Sequence, residues 1–216
     1  MRPLHALVLS ALMFSLALVS AHDAWAGPPT DQLREGVDRV LLVLRDPQLI
    51  GDAQSDRRRI AIGKVAGDIF DFGDMAKRAL GPHWAERTPA ERGEFVRLFT
   101  DLIQRAYVSK VDQHAAATKM TFRGETVDAD YAVVRTTIPL GNGSTMPLDY
   151  RMHATRDHWQ VYDLNIDGIS LVANYRAQFN RVIRTSSYPA LVTKLKSQQP
   201  EFSSPSASPP GVDAAR

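Results

Sequence analysis

Apolar residues recur with a helical period through the first half of the chain, alternate with polar ones in the middle, and return to the helical period near the end. Over residues 31–45, Leu33, Val37, Val40, Leu41 and Leu44 share one stripe, with Thr30 as the expected N-cap and Pro47 beyond the end. A second helix is expected from a cap at Ser55 through Ile60, Ile62, Val65 and Ile69, and a third over residues 71–80, stopped by Gly81-Pro82. Thr88-Pro89-Ala90-Glu91 then combines a capping box with proline at the first helical position. The stripe that follows is Phe95, Leu98, Phe99, Leu102, Ile103, Ala106 and Tyr107.

From about Lys119 the period becomes two. Residues 120–123, 131–138, 146–153 and 159–166 read as four strands, with Gly141-Asn142-Gly143 as a hairpin turn between the second and third. Asp167-Gly168 leads into a helix carrying Leu171, Val172, Tyr175, Phe179 and Val182, and a last helix spans residues 188–196. Helices, then strands joined by short turns, then helices predict an α+β fold. Its expected form is a curved four-stranded antiparallel sheet packed against several helices and enclosing an apolar pocket.

Strand three places Met146, Leu148, Tyr150 and Met152 on one face against Pro147, Asp149, Arg151 and His153 on the other. Strand four, by simple alternation, is apolar on both: Trp159 and Val161 against Tyr162, Leu164 and Ile166. Such a strand needs cover on both sides, and where helices back only one side the second cover is either more core or a ligand. Long, deformable or aromatic side chains at Met75, Phe95, Phe99, Tyr107, Met146, Tyr150 and Phe179 favour an adaptable apolar pocket. Leu102, Leu148, Val172 and Tyr175 lie on the same stripes and complete the expected lining.

The ends and the composition narrow the setting. Arg2, the charge-free run from Ala6 to Val19 and Ala24-Trp25-Ala26 form the pattern of a cleaved secretory signal, residues 1–26. Residues 27–196 are expected to form one domain, and the Ser/Pro-rich residues 197–216 a disordered tail. The chain has no cysteine, which excludes disulfides, thiolate metal sites and thiol catalysis, and removes the cysteine that anchors a bacterial lipoprotein. A free periplasmic protein is the expectation.

With 26 basic and 24 acidic residues the net charge is +2, and removal of Arg2 and Asp23 leaves it unchanged. That excess is small and makes no arginine stripe for nucleic acid. His153 and His158 face each other across a hairpin turn but lack an accompanying carboxylate pair at ligand spacing, so no metal or other cofactor is expected. No phosphate loop, dinucleotide fingerprint or HExxH occurs, and Ser170 lacks a GxSxG elbow, which leaves it the role of capping the helix behind it.

The segments DFGDMAKRALGPHWAERTPAERGEFVRLFTDLIQRAY and WQVYDLNIDGISLVANYRAQFNRVI resemble the toluene-tolerance family, periplasmic phospholipid carriers of the Mla lipid-asymmetry pathway, over residues 31–196. A closely related branch is associated with hopanoid lipids. The resemblance implies a non-enzymatic shuttle with a deep acyl-chain pocket, working between an outer-membrane lipoprotein complex and an inner-membrane ABC transporter complex. It further implies that Ile169 lines the pocket and that Val134 and Thr136 lie on another wall, Thr136 being a departure towards polarity. Lys77, Arg78, Arg176 and Arg181 are either a solvated helix face or the rim that meets headgroup and partners. The alternative class is an exported enzyme on a similar cone-shaped fold, pairing Asp130, Asp149 or Asp163 with Tyr107 as acid and base.

Overall fold

A computed structural model describes residues 28–114, 120–140, 143–197 and 202 of the chain. The expected leader, Gly141-Asn142 of the hairpin turn, and the tail beyond residue 202 lie outside the described residues.

Helix α1 (Pro29–Arg45) starts two residues earlier than expected, with prolines rather than Thr30 setting its first turn. Thr30 donates instead to Glu125, tying the helix to the edge of the sheet. α2 (Ser55–Ile69) returns alongside α1, and a Cβ at Gly36 would stand 2.7 Å from the Ile69 side chain, so glycine there permits the close approach. Ser55 is not its cap, because a 3₁₀ turn at Asp52–Gln54 already coils the chain before it. α3 (Phe72–Leu80) is capped by Asp71, which accepts from the Asp74 amide at 2.8 Å, and ends at Gly81 with φ +60°. α4 (Pro89–His114) opens on the expected box: Thr88 N donates to Glu91 Oε2 at 2.8 Å and Glu91 N to Thr88 Oγ1 at 3.3 Å.

The sheet is antiparallel throughout, in the order β1 (Thr121–Asp128), β2 (Tyr131–Pro139), β3 (Thr145–Ala154), β4 (Trp159–Ile166), β5 (Ile169–Ser170). The fifth strand is a difference from expectation. Asp167 (φ +50°) and Gly168 (φ +83°) make a two-residue turn, and Ile169 and Ser170 fold back to pair with Ile166 and Asn165 before α5 (Leu171–Thr185) begins. Ser170 does cap α5, accepting from the Ala173 amide at 3.0 Å. α6 (Tyr188–Lys196) follows as expected.

A second correction is larger. β3 and β4 slip register between Arg151, opposite Asp163, and Met152, opposite Val161, which leaves Tyr162 as the extra residue of a bulge. One extra residue reverses the parity of everything after it. Val161, Leu164 and Ile166 therefore stand opposite Met152, Tyr150 and Leu148 on a single face, and β4 is not apolar on both. Tyr162 alone turns to the other face, where it meets Tyr131, His153 and the Arg78 guanidinium of α3.

Two cores result. Leu33 of α1 and Ile69 of α2 cover the apolar sheet face at Ala132, Val134, Leu148, Tyr150, Met152, Trp159 and Val161. A separate helical core joins α3, α4, α5 and α6 around Met75, Phe95, Phe99, Tyr175, Phe179 and Leu191. Phe70, Leu164 and Ile166 are half-buried and touch both, so they form the seam. The helical core also takes in Phe202, which is 2% exposed and meets Phe179 edge-on at 5.5 Å. The packed chain thus continues past residue 196, the boundary that the Ser/Pro composition suggested.

Candidate functional site

The expected lining residues separate between the two cores. Phe95, Phe99, Tyr175 and Phe179 interlock by edge-to-face and stacked contacts with centroids 5.6 to 6.2 Å apart, a geometry that satisfies the ring quadrupoles without a ligand. Met75, Leu102 and Val172 are buried in the same cluster, and Tyr107 packs at its border. Burial pushes the Tyr175 hydroxyl well above the usual phenol range, with Tyr107 beside it adding to the effect. The aromatic stripe that suggested an adaptable pocket is, in its inner part, tight helical core.

Val134, Thr136, Leu148, Tyr150, Met146 and Ile169 fall together on the apolar sheet face. The register arranges them in rows: Val134, Tyr150, Leu164; then Thr136, Leu148, Ile166, Ile169; then Ile138, Met146. Burial declines along these rows. Val134, Thr136, Leu148 and Tyr150 are buried, Leu164, Ile166, Ile138 and Met146 half-buried, and Ile169 is 46% exposed, as is Leu140 just beyond β2 at 40%. An apolar surface thus runs from the interior to water at one end of the sheet, beside the two turns that close β2–β3 and β4–β5. Ile138, Leu140, Leu164 and Ile166 belong to it although sequence reasoning did not select them. The cross-strand register is the signal that would have found them.

Polarity along this surface is silenced. The Thr136 hydroxyl donates to the Leu148 carbonyl at 2.8 Å, so the side chain presents its methyl group. Burial pushes the Tyr150 hydroxyl upward, keeping it a neutral phenol.

The carboxylates offered as catalytic acids are otherwise engaged. Buried Asp163 accepts from Ser170 Oγ at 2.7 Å, from its neighbour's amide at 2.9 Å and from the Val172 amide at 3.0 Å, with Arg151 at 3.6 Å. It is an anchor joining β4 to the start of α5, where a helix N-terminus favours negative charge. Asp130 is exposed in the β1–β2 turn, and Asp149 stands opposite Arg135 on the polar face of the sheet. His153 turns to Asp71 at 3.2 Å while His158 stays with Thr155, so the two histidines do not converge. Among the described residues no group of histidines and carboxylates is placed to hold a metal ion.

The four candidate rim bases divide as well. Arg78 is held by Asp74 at 2.6 Å and lies over the Tyr162 ring, while Arg176 reaches from α5 to the Arg78 carbonyl at 3.0 Å. Lys77, Arg176 and Arg181 are exposed on the paired helices α3 and α5.

The fold is shared with a solved structure, that of a phospholipid-binding protein from Ralstonia solanacearum in complex with a phospholipid. The two are 26% identical with a TM-score of 0.70, over 82% of this chain and 99% of that one. The family model described as MlaC protein matches residues 34–197. That span takes in the apolar sheet end, all the candidate residues above and both cores apart from Leu33 and Phe202, and the chain belongs to the MlaC protein family.

Proposed function

We propose that this protein is a periplasmic carrier of phospholipid, exported by a cleaved leader, that holds acyl chains against the apolar sheet end and shuttles them between outer-membrane and inner-membrane complexes. The observation that carries the reading is the apolar surface graded from Val134 to exposed Ile169 and Leu140. It is supported by membership of the family and by the phospholipid bound in the similar structure. The half-buried seam residues Phe70, Leu164 and Ile166 are the natural place for the two cores to part around a chain, because neither core closes completely over them.

The energetics explain why a carrier is needed. Two acyl tails hold about 30 methylenes, and at about 0.8 kcal/mol each their exposure to water costs on the order of 24 kcal/mol. Exchange between one apolar surround and another avoids that barrier. Nothing in this task requires bond chemistry, and the saturated hydrogen bonding of Asp163 argues against a second reading as an acid–base enzyme.

Organic extraction and native mass spectrometry of the folded protein, purified without detergent from a bacterial envelope, test the reading. About one phospholipid per chain is expected, since the described residues present one graded apolar surface. Repeated recovery of folded, monodisperse protein without lipid would overturn it, and recovery of a hopanoid would redirect it to the related branch. Handover is proposed to use the exposed bases: reversal of Arg176 and Arg181 to glutamate should slow transfer to acceptor complexes and weaken its salt dependence with bound lipid unchanged.

A further inference from the structure

The three most exposed large hydrophobic residues among those described lie close together in sequence. Leu42 is 68% exposed, Ile50 61% and Ile60 70%, and all belong to the hairpin formed by α1, the intervening turns and α2. The antiparallel pairing sets Leu44 against Ile62, so Leu42 and Ile60 differ in level by about one helical turn. None of the three holds the hairpin together. That is done by Gly36 against Ile69, by Arg39 paired with Asp68 at 3.1 Å, and by Leu44 and Ile62 with Val40, Leu41 and Val43.

Charge distinguishes the same tip. Between Leu41 and Lys64 five bases, Arg45, Arg57, Arg58, Arg59 and Lys64, accompany three acids, Asp46, Asp52 and Asp56, a net of +2 from five minus three. That equals the net charge of the entire chain. Asp46 is occupied in capping the turn at Gln48, and Asp56 is paired with Arg59 at 3.0 Å. Arg45, Arg57 and Lys64 are exposed.

We propose that the tip of the α1–α2 hairpin is a docking surface for an anionic lipid membrane. Single apolar side chains interspersed with arginines suit the boundary between headgroups and acyl chains, where the former enter hydrocarbon and the latter grip phosphates. They suit a preformed protein groove less, because the three stand singly on α1, on the turn after it and on α2, accompanied by exposed bases. The contact is carried by α1, α2 and the turns between them rather than by strand residues, and it does not rest on the reading of the graded sheet face.

Cosedimentation of the mature full-length protein with phosphatidylglycerol vesicles and with phosphatidylcholine vesicles tests this. Binding to phosphatidylglycerol is expected, lost at high salt. The triple variant L42Q/I50Q/I60Q should bind at least about tenfold more weakly, and R45Q/R57Q about fivefold more weakly for each base removed. Each change is at an exposed position, so melting curves should stay close to wild type, and extracted lipid should be unchanged. No binding to phosphatidylglycerol vesicles, or equal binding by the triple variant, would overturn the proposal. So would a stoichiometric protein partner that copurifies through the tip and is lost in the triple variant while vesicles remain unbound. Wild-type protein that binds the vesicles but yields no extracted lipid would instead count against the carrier reading alone.

Discussion

Ile169→Glu separates a pocket residue from a core residue, because the structure sets its two consequences far apart. Ile169 sits on the two-residue strand β5 opposite Ile166, at the wet end of the row that begins with Thr136 and Leu148. Full burial of an isoleucine is worth about 1.5–3 kcal/mol, and at 46% exposure roughly half of that is realised in the fold. The loss of strand propensity adds at most about 1 kcal/mol. The expected destabilisation is therefore about 1–2 kcal/mol, a fall in Tm of about 2–8 °C for a domain of this size. Lipid retention should change far more. A carboxylate held against acyl chains is uncompensated, and several kcal/mol of desolvation correspond to a loss of at least about a hundredfold. Circular dichroism melts and lipid extraction on the same preparation read both quantities. Protonation of the new carboxyl in acid should restore part of the lipid, which ties the effect to charge. Wild-type lipid content with an unchanged melt would remove Ile169 from the lipid path, and a fall in Tm beyond about 10 °C would make it a core residue.

Phe99→Ala should behave in the opposite sense, losing about 3–5 kcal/mol in urea unfolding, because the ring contacts Phe95, Tyr175 and Phe179 and leaves a cavity among them. Asp163→Ala strands the Val172 amide and the Ser170 hydroxyl, and should cost about 2–4 kcal/mol with faster hydrogen exchange at Val172; unchanged exchange there would refute the anchor. Phe202→Ala and truncation after Ser197 should destabilise alike, by about 3 kcal/mol in chemical denaturation, since among the described residues Phe202 is the buried one beyond α6. Glu91 has its carboxyl held below the usual range by the Thr88 amide, then by the Thr88 hydroxyl. Its contribution is present above the unfolded pKa and is lost as pH falls through the lower folded value, so the Tm difference between wild type and Glu91→Gln should be largest near neutrality and shrink in acid.

The helices and the α+β order were legible because their causes are local: a 3.6-residue stripe, a capping box at Thr88 and Glu91, Gly81 where the chain must take φ +60°. Ser170 as the cap of α5 was legible for the same reason. The inward parts of the lining set, Phe95, Phe99, Tyr175 and Phe179, were correctly apolar, but composition does not say what an apolar side chain packs against, and here the four rings pack on one another.

What the amino-acid order by itself determined is therefore the set of elements and the apolar inventory; what only tertiary structure decided is which face that inventory occupies. Tyr162 is the clearest case. Alternation is a counting rule, and one residue left unpaired against β3 reverses the count, moving Leu164 and Ile166 to the face of Val161. The position of that bulge depends on pairing with a strand on the far side of a turn, which no window around Tyr162 contains. Thr136 is polar in composition and apolar in place because a carbonyl on β3 accepts its hydrogen bond. Phe202 lies in a segment whose composition reads as tail, and it is drawn into the fold by rings of α5 more than 20 residues away. In each instance the deciding partner is distant in sequence, and burial and hydrogen bonding act on distance in space.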